Sequence, residues 1–495
     1  MTQQAATQQT TNSHSLFNRR TLWVLFLSAV VIRVISLGLY PLMDTTEARY
    51  GEMARLMVET GNWLTPQFDY NVPFWGKPPL FTWMSATGIE LFGVNEFAVR
   101  MPHWLAGVLA IGVTAFLAKR LKLDALISSV VLATTGVFAI SAGAVMTDMA
   151  LTLGMAVAMT GFYLCWLDAE KNAGAPHKWG YFGFIGLAIG LLAKGPVAIV
   201  IFGLAVFPWM VIQHGIIGAF VELWKRFPLV KGSLLMLVIA VPWYALAEQA
   251  TPGFIDYFIV GEHFKRFVVS GWEGDLYGSA HDEPRGKIWL FWLSSAAPWS
   301  IVLPLLFIRS GKSLKEVSQR YDGAMSFAML WLISPMILFT FAGNILPAYV
   351  LPGVPALGIL IAMLVKEQDQ KWFKGVAAVI PVLLIGAVIF LNLGKADTRS
   401  DRAIFENIEA ELPSFYVGKR PFSGQFYSSG QALKVESDDE IESQRFYLIG
   451  KRSKVVDYIE THQLDCQLEF KAKTKRMVYL CDQSYDQSLM VSSTQ

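Results

Sequence analysis

A few charged side chains interrupt a chain that is otherwise mostly apolar over its first 394 residues. Asp44 and Glu47 are three residues apart, so both carboxylates would point to one side if that turn were helical. Lys77 follows a glycine and precedes two prolines, which place it at a rigid helix entry that suits a phosphate oxygen. The two acids and the lysine are therefore candidate functional residues, and the lysine suits an anionic group such as a phosphate.

Two further charges follow at predicted membrane boundaries. Asp148 lies between two apolar runs, where an acid is costly and is a functional candidate by default. It would also fit as the N-cap of the following helix, and both roles are compatible. Lys194 stands in a Lys-Gly-Pro turn and is expected to face the same side. Ordinary alternatives stay open: the first-loop acids would solvate an interfacial helix, and the lysines would snorkel.

The stretch 261–267 combines an acid, a histidine and two bases. Glu262 and His263 are metal-ligand candidates, although the sequence shows no tight ligand spacing. The favoured interpretation is a loop that binds substrate or is solvated. Further polar residues follow in the same loop: Asp275, Tyr277, His281 and Asp282. We therefore expect no required cofactor, while a divalent metal is left open.

These residues must be positioned by membrane-spanning helices. The chain is 54% apolar and 16% charged, against about 25% charged in a soluble domain. A net charge of +2 implies no polyanionic partner, and no nucleic acid is expected. Roughly 20 apolar residues cross a bilayer. Eleven segments qualify, at about 21–40, 101–118, 124–142, 149–167, 180–193, 196–213, 231–247, 287–308, 325–342, 348–365 and 375–393.

Lysine and arginine gather in alternate short loops, which predicts a cytoplasmic N-terminus and an extra-cytoplasmic C-terminus. Outer loops are then expected at 42–100 and 248–286. The first should contain an amphipathic helix from Glu47 along the membrane interface, capped by Thr45 or Thr46.

The chain is expected to divide into a disordered cytoplasmic N-terminus (1–18), a transmembrane part (19–393) and a small α/β domain (394–495). In the last domain a helix is predicted at 402–412, and the final dozen residues should be frayed. Cys466 and Cys481 fall on two apparent neighbouring strands there. An oxidising compartment permits a disulfide between them, but spacing leaves the pairing open.

In order and in placement, several short motifs resemble the GT-C glycosyltransferases, in particular the bacterial branch that includes the lipid A aminoarabinose transferases and the protein O-mannosyltransferases. The resemblance covers about residues 20–365. Its motifs are Thr46-Glu47-Ala48-Arg49-Tyr50, Gly76-Lys77-Pro78-Pro79-Leu80, Val99-Arg100-Met101-Pro102, Thr147-Asp148, Ala193-Lys194-Gly195-Pro196, Glu262-His263 with Arg266, Pro298-Trp299 and Leu346-Pro347-Ala348-Tyr349-Val350-Leu351-Pro352.

The resemblance implies an α-helical polytopic protein of GT-C type in the bacterial inner membrane, with about eleven transmembrane helices and a small periplasmic α/β domain. Its partners would be membrane lipids and a sugar donor on a polyprenyl phosphate, typically undecaprenyl phosphate. The acceptor would be lipid A or another glycolipid or glycan; a protein hydroxyl is the alternative. A transporter is disfavoured, because the spans carry almost no charge and no repeat is visible.

The resemblance also implies residue roles. Lys77 would stabilise the phosphate leaving group, and Lys194 and Arg266 would help to hold phosphates. Either Asp44 or Glu47 would be the first-loop acid, a general base if the acceptor is a hydroxyl. Asp148 would position the acceptor or another group. Arg49, Tyr50 and Tyr349 complete the residues assigned to the donor.

Three positions depart from the family pattern. Thr46 stands where the family has an aspartate, and the nearest aspartate is Asp44. Gly76 replaces a glutamate that aminoarabinose transferases place before the lysine, which weakens the argument for a metal at His263. Ile345 stands where a basic residue is common, so a phosphate contact on one substrate is missing and lipid A is in doubt as acceptor.

Overall fold

The computed structural model describes residues 18–172, 177–269, 272–278, 283–311, 321, 323–437 and 439–483. Residues 1–17 of the predicted disordered N-terminus and the final dozen residues lie outside these ranges. So do His281 and Asp282 of the second outer loop.

Helices occupy each segment for which a span is predicted, and the predicted fold class is confirmed. Of the described helices, six are long and apolar enough to cross a membrane, and a seventh span results if one bent pair is joined. The number of eleven crossings stays a prediction. The helices of this part are α1 (Arg19–Ser36), α2 (Thr46–Thr60), α3 (Leu80–Phe92), α4 (Glu96–Arg120), α5 (Ala125–Ala133), α6 (Gly136–Ser141), α7 (Thr147–Lys171), α8 (Lys178–Lys194), α9 (Val197–Arg226), α10 (Leu229–Ala250), α11 (Arg266–Val268), α12 (Lys287–Ser295), α13 (Trp299–Ser310), α14 (Ala324–Phe339), α15 (Val354–Leu364) and α16 (Gln370–Phe390).

Tighter and wider helical turns join several of these helices. Segments of 3₁₀-helix span Pro347–Gly353, Glu367–Asp369 and Ala396–Thr398, and π-helical segments span Asp256–Lys265 and Leu391–Lys395. A two-stranded hairpin, β1 (Gln67–Asp69) with β2 (Val72–Pro73), lies in the first outer loop.

Two predicted continuous spans are broken. The segment 124–142 divides into α5 and α6, and the segment 287–308 divides into α12 and α13 with a bend of 95°. The two breaks contact each other: the Gly136 amide donates to the Ala297 carbonyl at 2.9 Å, and Trp299 Nε1 donates to Thr134 Oγ1 at 2.9 Å. Broken helices are tolerated at membrane depth when other protein groups satisfy the freed backbone. Apolar composition alone does not show such breaks.

The helix predicted in the first outer loop forms as α2, and its apolar side packs inside the protein; its position along the membrane interface stays a prediction. Met53, Ala54 and Met57 of α2 are completely or almost completely buried, and they share one apolar cluster with Phe426 of the C-terminal domain. Thr45 occupies the N-cap position but makes no side-chain capping bond. The amphipathic pattern therefore reflects packing between α3 and the C-terminal domain.

The C-terminal domain contains a five-stranded sheet of β3 (Ser414–Val417), β4 (Leu433–Val435), β5 (Arg445–Gly450), β6 (Cys466–Lys471) and β7 (Met477–Asp482), in the order β4-β3-β5-β7-β6. β3 is parallel to β4 and β5, and β7 is antiparallel to β5 and β6. The helix predicted at 402–412 is shorter, at Arg402–Phe405. Cys466 and Cys481 are cross-strand partners and form a disulfide, which resolves the open pairing. The helices of this domain are α17 (Arg402–Phe405), α18 (Phe422–Tyr427) and α19 (Arg452–Thr461).

Helices α7 and α8 form a close antiparallel hairpin built on glycines. A Cβ atom at Gly161 would lie 2.4 Å from the Gly183 nitrogen, and one at Gly186 would lie 2.4 Å from the Ala158 nitrogen. Small residues let membrane helices approach backbone to backbone. The hairpin therefore brings the first turn of α7 beside the last turn of α8.

Candidate active site

A cavity of about 450 Å³ opens where the outer loops meet the helices. Its wall combines the first turn of α2, the start of α7, the turn between α8 and α9, the second outer loop and the segment before α15. Most of the predicted site residues line it: Arg49, Tyr50, Lys77, Asp148, Lys194, Glu262, His263, Arg266 and Tyr349. Asp44 and Glu47 do not line it, whereas Thr45 and Thr46 do.

Lys77 and Arg266 converge on one buried carboxylate. Lys77 Nζ lies 2.6 Å from Glu262 Oε2, and Arg266 Nη1 lies 2.8 Å from Glu262 Oε1. Burial of Glu262 opposes ionisation, but the charges of Lys77 and Arg266 outweigh it and lower its pKa to about 2. Asp275 adds a contact of 3.3 Å to Arg266. Charged side chains from three segments of the chain, around 77, 262–266 and 275, therefore form one cluster.

Local structure explains why these groups meet. Arg266 follows Glu262 by four residues on a helical segment, so both side chains share one face. The Tyr277 hydroxyl donates to the Pro73 carbonyl at 2.9 Å and accepts from the Trp75 amide at 3.0 Å. These bonds hold the chain that leads to Lys77 against the second outer loop.

The glycine-built hairpin pairs the other lysine with an acid. Lys194 Nζ donates to Asp148 Oδ1 at 2.6 Å, and it lies 4.0 Å from the centre of the Tyr349 ring. Thr147 Oγ1 donates to the other oxygen of Asp148 at 3.4 Å. Both residues line the cavity, so an anion there meets a lysine that is already held in place.

Arg49 and Tyr50 contribute the first turn of α2. Arg49 Nη1 donates to the Tyr277 carbonyl at 2.6 Å, and its guanidinium lies 5.0 Å from the centre of the Tyr50 ring. Arg49 Nε is buried and has no hydrogen-bond partner among the described residues. An unpartnered donor at a cavity wall suits an acceptor atom of a ligand.

The two first-loop acids do not point to one side, contrary to the prediction. The helix begins at Thr46, so Asp44 precedes it, and its carboxylate accepts from the Ser423 amide at 3.1 Å and from the Ser423 hydroxyl. Burial raises the pKa of Asp44, and the bonds from Ser423 offset part of that effect. Glu47 instead pairs with Arg100, with contacts of 2.8 and 2.7 Å.

The metal-ligand candidates have other partners. Glu262 accepts from Lys77 and Arg266, as described above. His263 Nδ1 lies 2.8 Å from the Phe258 carbonyl, and its Nε2 lies 3.2 Å from the Lys194 carbonyl. Within the described ranges, no three His, Cys, Asp or Glu side chains come together as a ligand set. His263 thus joins the second outer loop to the turn after α8.

The model of the family described as Dolichyl-phosphate-mannose-protein mannosyltransferase matches residues 21–258. An Undecaprenyl phosphate-alpha-4-amino-4-deoxy-L-arabinose arabinosyl transferase of Enterobacter sp. (strain 638) is 30% identical over 68% of this chain and 58% of its own length. Its counterpart in Erwinia tasmaniensis is 32% identical over 66% of this chain and 56% of its own length. The chain thus spans less than three fifths of the length of these curated relatives.

The crystal structure of ArnT from Cupriavidus metallidurans bound to undecaprenyl phosphate superposes with a TM-score of 0.72. The identity is 20%, and the match covers 92% of this chain and 97% of that chain. This likeness concerns the fold, and the long apolar helices agree with a multi-pass membrane protein. In sequence the chain is similar to the arabinosyl transferases named above.

Proposed function

We propose that the chain is a glycosyltransferase that moves a sugar from a polyprenyl phosphate, such as undecaprenyl phosphate, to an acceptor outside the cytoplasm. The observation that carries this proposal is the convergence of Lys77, Arg266 and Lys194 on one cavity. Cationic groups that the fold already holds in place stabilise negative charge that develops on a phosphate, because the protein need not rearrange during the reaction. The names of the relatives support the same donor.

In this mechanism the acceptor oxygen bonds to the anomeric carbon as the bond from that carbon to the phosphate oxygen breaks. Lys77 and Arg266 stabilise the negative charge on the departing polyprenyl phosphate. Lys194 adds a further positive charge from another part of the cavity wall. Asp148 is the carboxylate that we assign to the acceptor. It takes the proton of a hydroxyl acceptor, or it orients an acceptor that is already ionised, such as a phosphate.

Lipid A or another glycolipid or glycan is the first candidate acceptor, as the resemblance of the sequence motifs implies. A protein hydroxyl is the second, and the match to the protein mannosyltransferase family model favours it. Ile345, at the position where a basic residue would contact a phosphate, is 1% exposed and does not line the cavity. Mass spectrometry of lipid, glycan and protein fractions from a deletion strain decides between them: the fraction that loses a sugar is the acceptor.

We place the chain in the bacterial inner membrane, with a cytoplasmic N-terminus and with 394–495 as a periplasmic domain. The lysine and arginine bias of the loops supports this orientation, and contacts between loops support their assignment to common sides of the membrane. Arg120 pairs with Asp168 at 3.0 Å, and Arg309 Nη2 lies 2.8 Å from Asp369, so loops predicted to be cytoplasmic contact one another. The loops predicted to be outside meet at the cavity instead.

Replacing the cavity charges tests the catalytic proposal. We expect Lys77→Ala, Asp148→Asn and Arg266→Ala each to lower transfer from a polyprenyl-phosphate sugar by on the order of 100-fold or more in purified protein with lipid. The measurement is transferred sugar per unit time at saturating donor, beside the thermal unfolding curve of each variant.

Lys265→Ala is the matched control, because Lys265 neighbours Arg266 in the chain but is exposed and outside the cavity wall. It should retain parental activity. Full activity in Lys77→Ala and Asp148→Asn would exclude the proposed site.

A further inference from the structure

Asp44 is bound by the C-terminal domain through its backbone and its side chain. Its amide donates to the Arg399 carbonyl at 2.8 Å, and its own carbonyl accepts from Arg399 Nη2 at 3.0 Å. Its carboxylate accepts from the amide and the hydroxyl of Ser423. The next two residues, Thr45 and Thr46, line the cavity.

The partner of Asp44 is itself held by a buried polar network. The Asp401 amide donates to Ser423 Oγ at 3.0 Å, and the side chain of Asp401 is fully buried. The Asp401 carboxylate accepts from the Tyr416 hydroxyl at 2.9 Å, from Thr474 Oγ1 at 2.8 Å and from Arg476 Nη1 at 2.7 Å. A network in which every member is bonded fixes one arrangement of the groups around it.

We propose that Asp44 is a positioning residue, through which the C-terminal domain sets the first turn of α2 against the cavity. That turn carries Arg49 and Tyr50, so its placement decides where the unpartnered Arg49 Nε points. The inference rests on the proposed function, because it assigns Asp44 a part in assembling the site where the sugar is transferred. It also gives the C-terminal domain a role in catalysis.

The contacts of Asp44 distinguish positioning from proton transfer. Both carboxylate oxygens face Ser423, and the residue does not line the cavity, so it touches neither the donor phosphate nor an acceptor placed there. An asparagine keeps an oxygen that accepts from Ser423, whereas an alanine keeps none. The two substitutions therefore have different expected effects under the two roles.

The test compares Asp44→Asn, Asp44→Ala and Ser423→Ala in the full-length protein, with kcat, KM for the donor, the pH profile and thermal unfolding measured for each. We expect Asp44→Ala to lower kcat at least about tenfold, because a small misplacement of a site costs rate. Asp44→Asn should stay within about threefold of the parent with an unchanged pH profile, since its acceptor oxygen remains. Ser423→Ala should lower kcat in the same direction as Asp44→Ala.

Arg420→Gln is the matched control. It breaks the pair of Arg420 with Asp69, at 2.7 and 2.8 Å, which also joins the C-terminal domain to the first outer loop but lies outside the cavity wall. It should leave kcat unchanged. An Asp44→Asn variant as inactive as Asp44→Ala, with the acid limb of its pH profile lost, would overturn the proposal in favour of a base.

Two other outcomes are also decisive. Equal losses of kcat in Arg420→Gln and Asp44→Ala would overturn the proposal by showing a general docking effect. If Asp44→Ala does not fold, Ser423→Ala decides, and parental kcat in that variant overturns the proposal. Absence of sugar transfer from a polyprenyl phosphate in the parent protein would instead refute the proposed function, which keeps the two failures separate.

Discussion

At the scale of single residues, each cation of the proposed phosphate site is held by a carboxylate before any ligand arrives. Lys77 and Arg266 share Glu262, and Lys194 pairs with Asp148. Removing one partner of a buried ion pair leaves the other charge uncompensated, which costs more than the pair itself contributes. We therefore expect Glu262 to orient the two cations that the proposed function assigns to the donor phosphate.

We expect Glu262→Gln to lower kcat by about ten- to a hundredfold, because Lys77 and Arg266 lose the charge that orients them. The donor KM should not rise, since the cavity gains positive charge. Steady-state kinetics with a varied donor concentration measures both. Glu273→Gln is the control, because Glu273 is exposed in the same loop. A raised donor KM with unchanged kcat would contradict this role.

The pKa of Glu262 predicts how stability depends on pH. Its folded value of about 2 lies below its ordinary value of 4.5. The ionised pair therefore contributes stability that is fully present above pH 4.5 and is lost as the pH falls from there towards 2. Between pH 3 and pH 6, the unfolding temperature of Glu262→Gln should fall less with decreasing pH than that of the parent. The same dependence of unfolding temperature on pH in both proteins would refute the lowered pKa of Glu262.

At the scale of elements, the hairpin of α7 and α8 determines the distance between Asp148 and Lys194. These residues are 46 positions apart in the chain, at the start of α7 and at the end of α8. Because the two helices are antiparallel, both residues lie at the same end of the hairpin. Glycines at the contact let the helices approach until an added Cβ would meet backbone atoms. Since backbone atoms do not move aside as a flexible side chain does, the spacing of the pair is firmly fixed.

Gly186→Ala should therefore destabilise the protein by about 1–3 kcal/mol, the usual cost of overpacking. Its Cβ would lie 2.4 Å from the Ala158 nitrogen and 2.6 Å from the Gly154 carbonyl oxygen. Thermal unfolding in detergent measures the change, and activity should fall with it. In the control Gly203→Ala the new Cβ meets nothing within 4 Å, so stability should be kept or slightly raised. Equal effects of the two substitutions would contradict the close packing of the hairpin.

At the scale of the whole molecule, the C-terminal domain covers the first outer loop, and none of its described residues lines the cavity. Its influence on the site passes through α2. The proposed orientation puts this domain on one side of the membrane and the ion pairs of Arg120 and Arg309 on the other.

Thiol labelling tests that orientation. Lys419→Cys should react with an impermeant reagent in intact spheroplasts, whereas Lys225→Cys should react only after lysis; both positions are exposed. The native cysteines give little background, because Cys165 is buried and Cys466 is bonded to Cys481. The reverse labelling pattern would invert the topology.

The sequence predicted much of the site, since Lys77, Asp148, Lys194 and Arg266 all line one cavity. Motif order and membrane placement carried that prediction, because outer loops of a polytopic protein have little space in which to separate. The pairing of Lys77 with Glu262 was not predicted. No local pattern joins residues 185 positions apart in the chain.

Sequence by itself determined the class of fold and the apolar helical segments, because hydropathy reports directly on the solvent that a segment meets. It also predicted that Lys77, Asp148, Lys194 and Arg266 lie together, and all four line one cavity. The tertiary structure alone decided the breaks in two helices, the disulfide of Cys466 with Cys481, and the place of Asp44 outside the cavity. Each of these depends on distant backbone or side-chain partners, and such partners leave no trace in local composition.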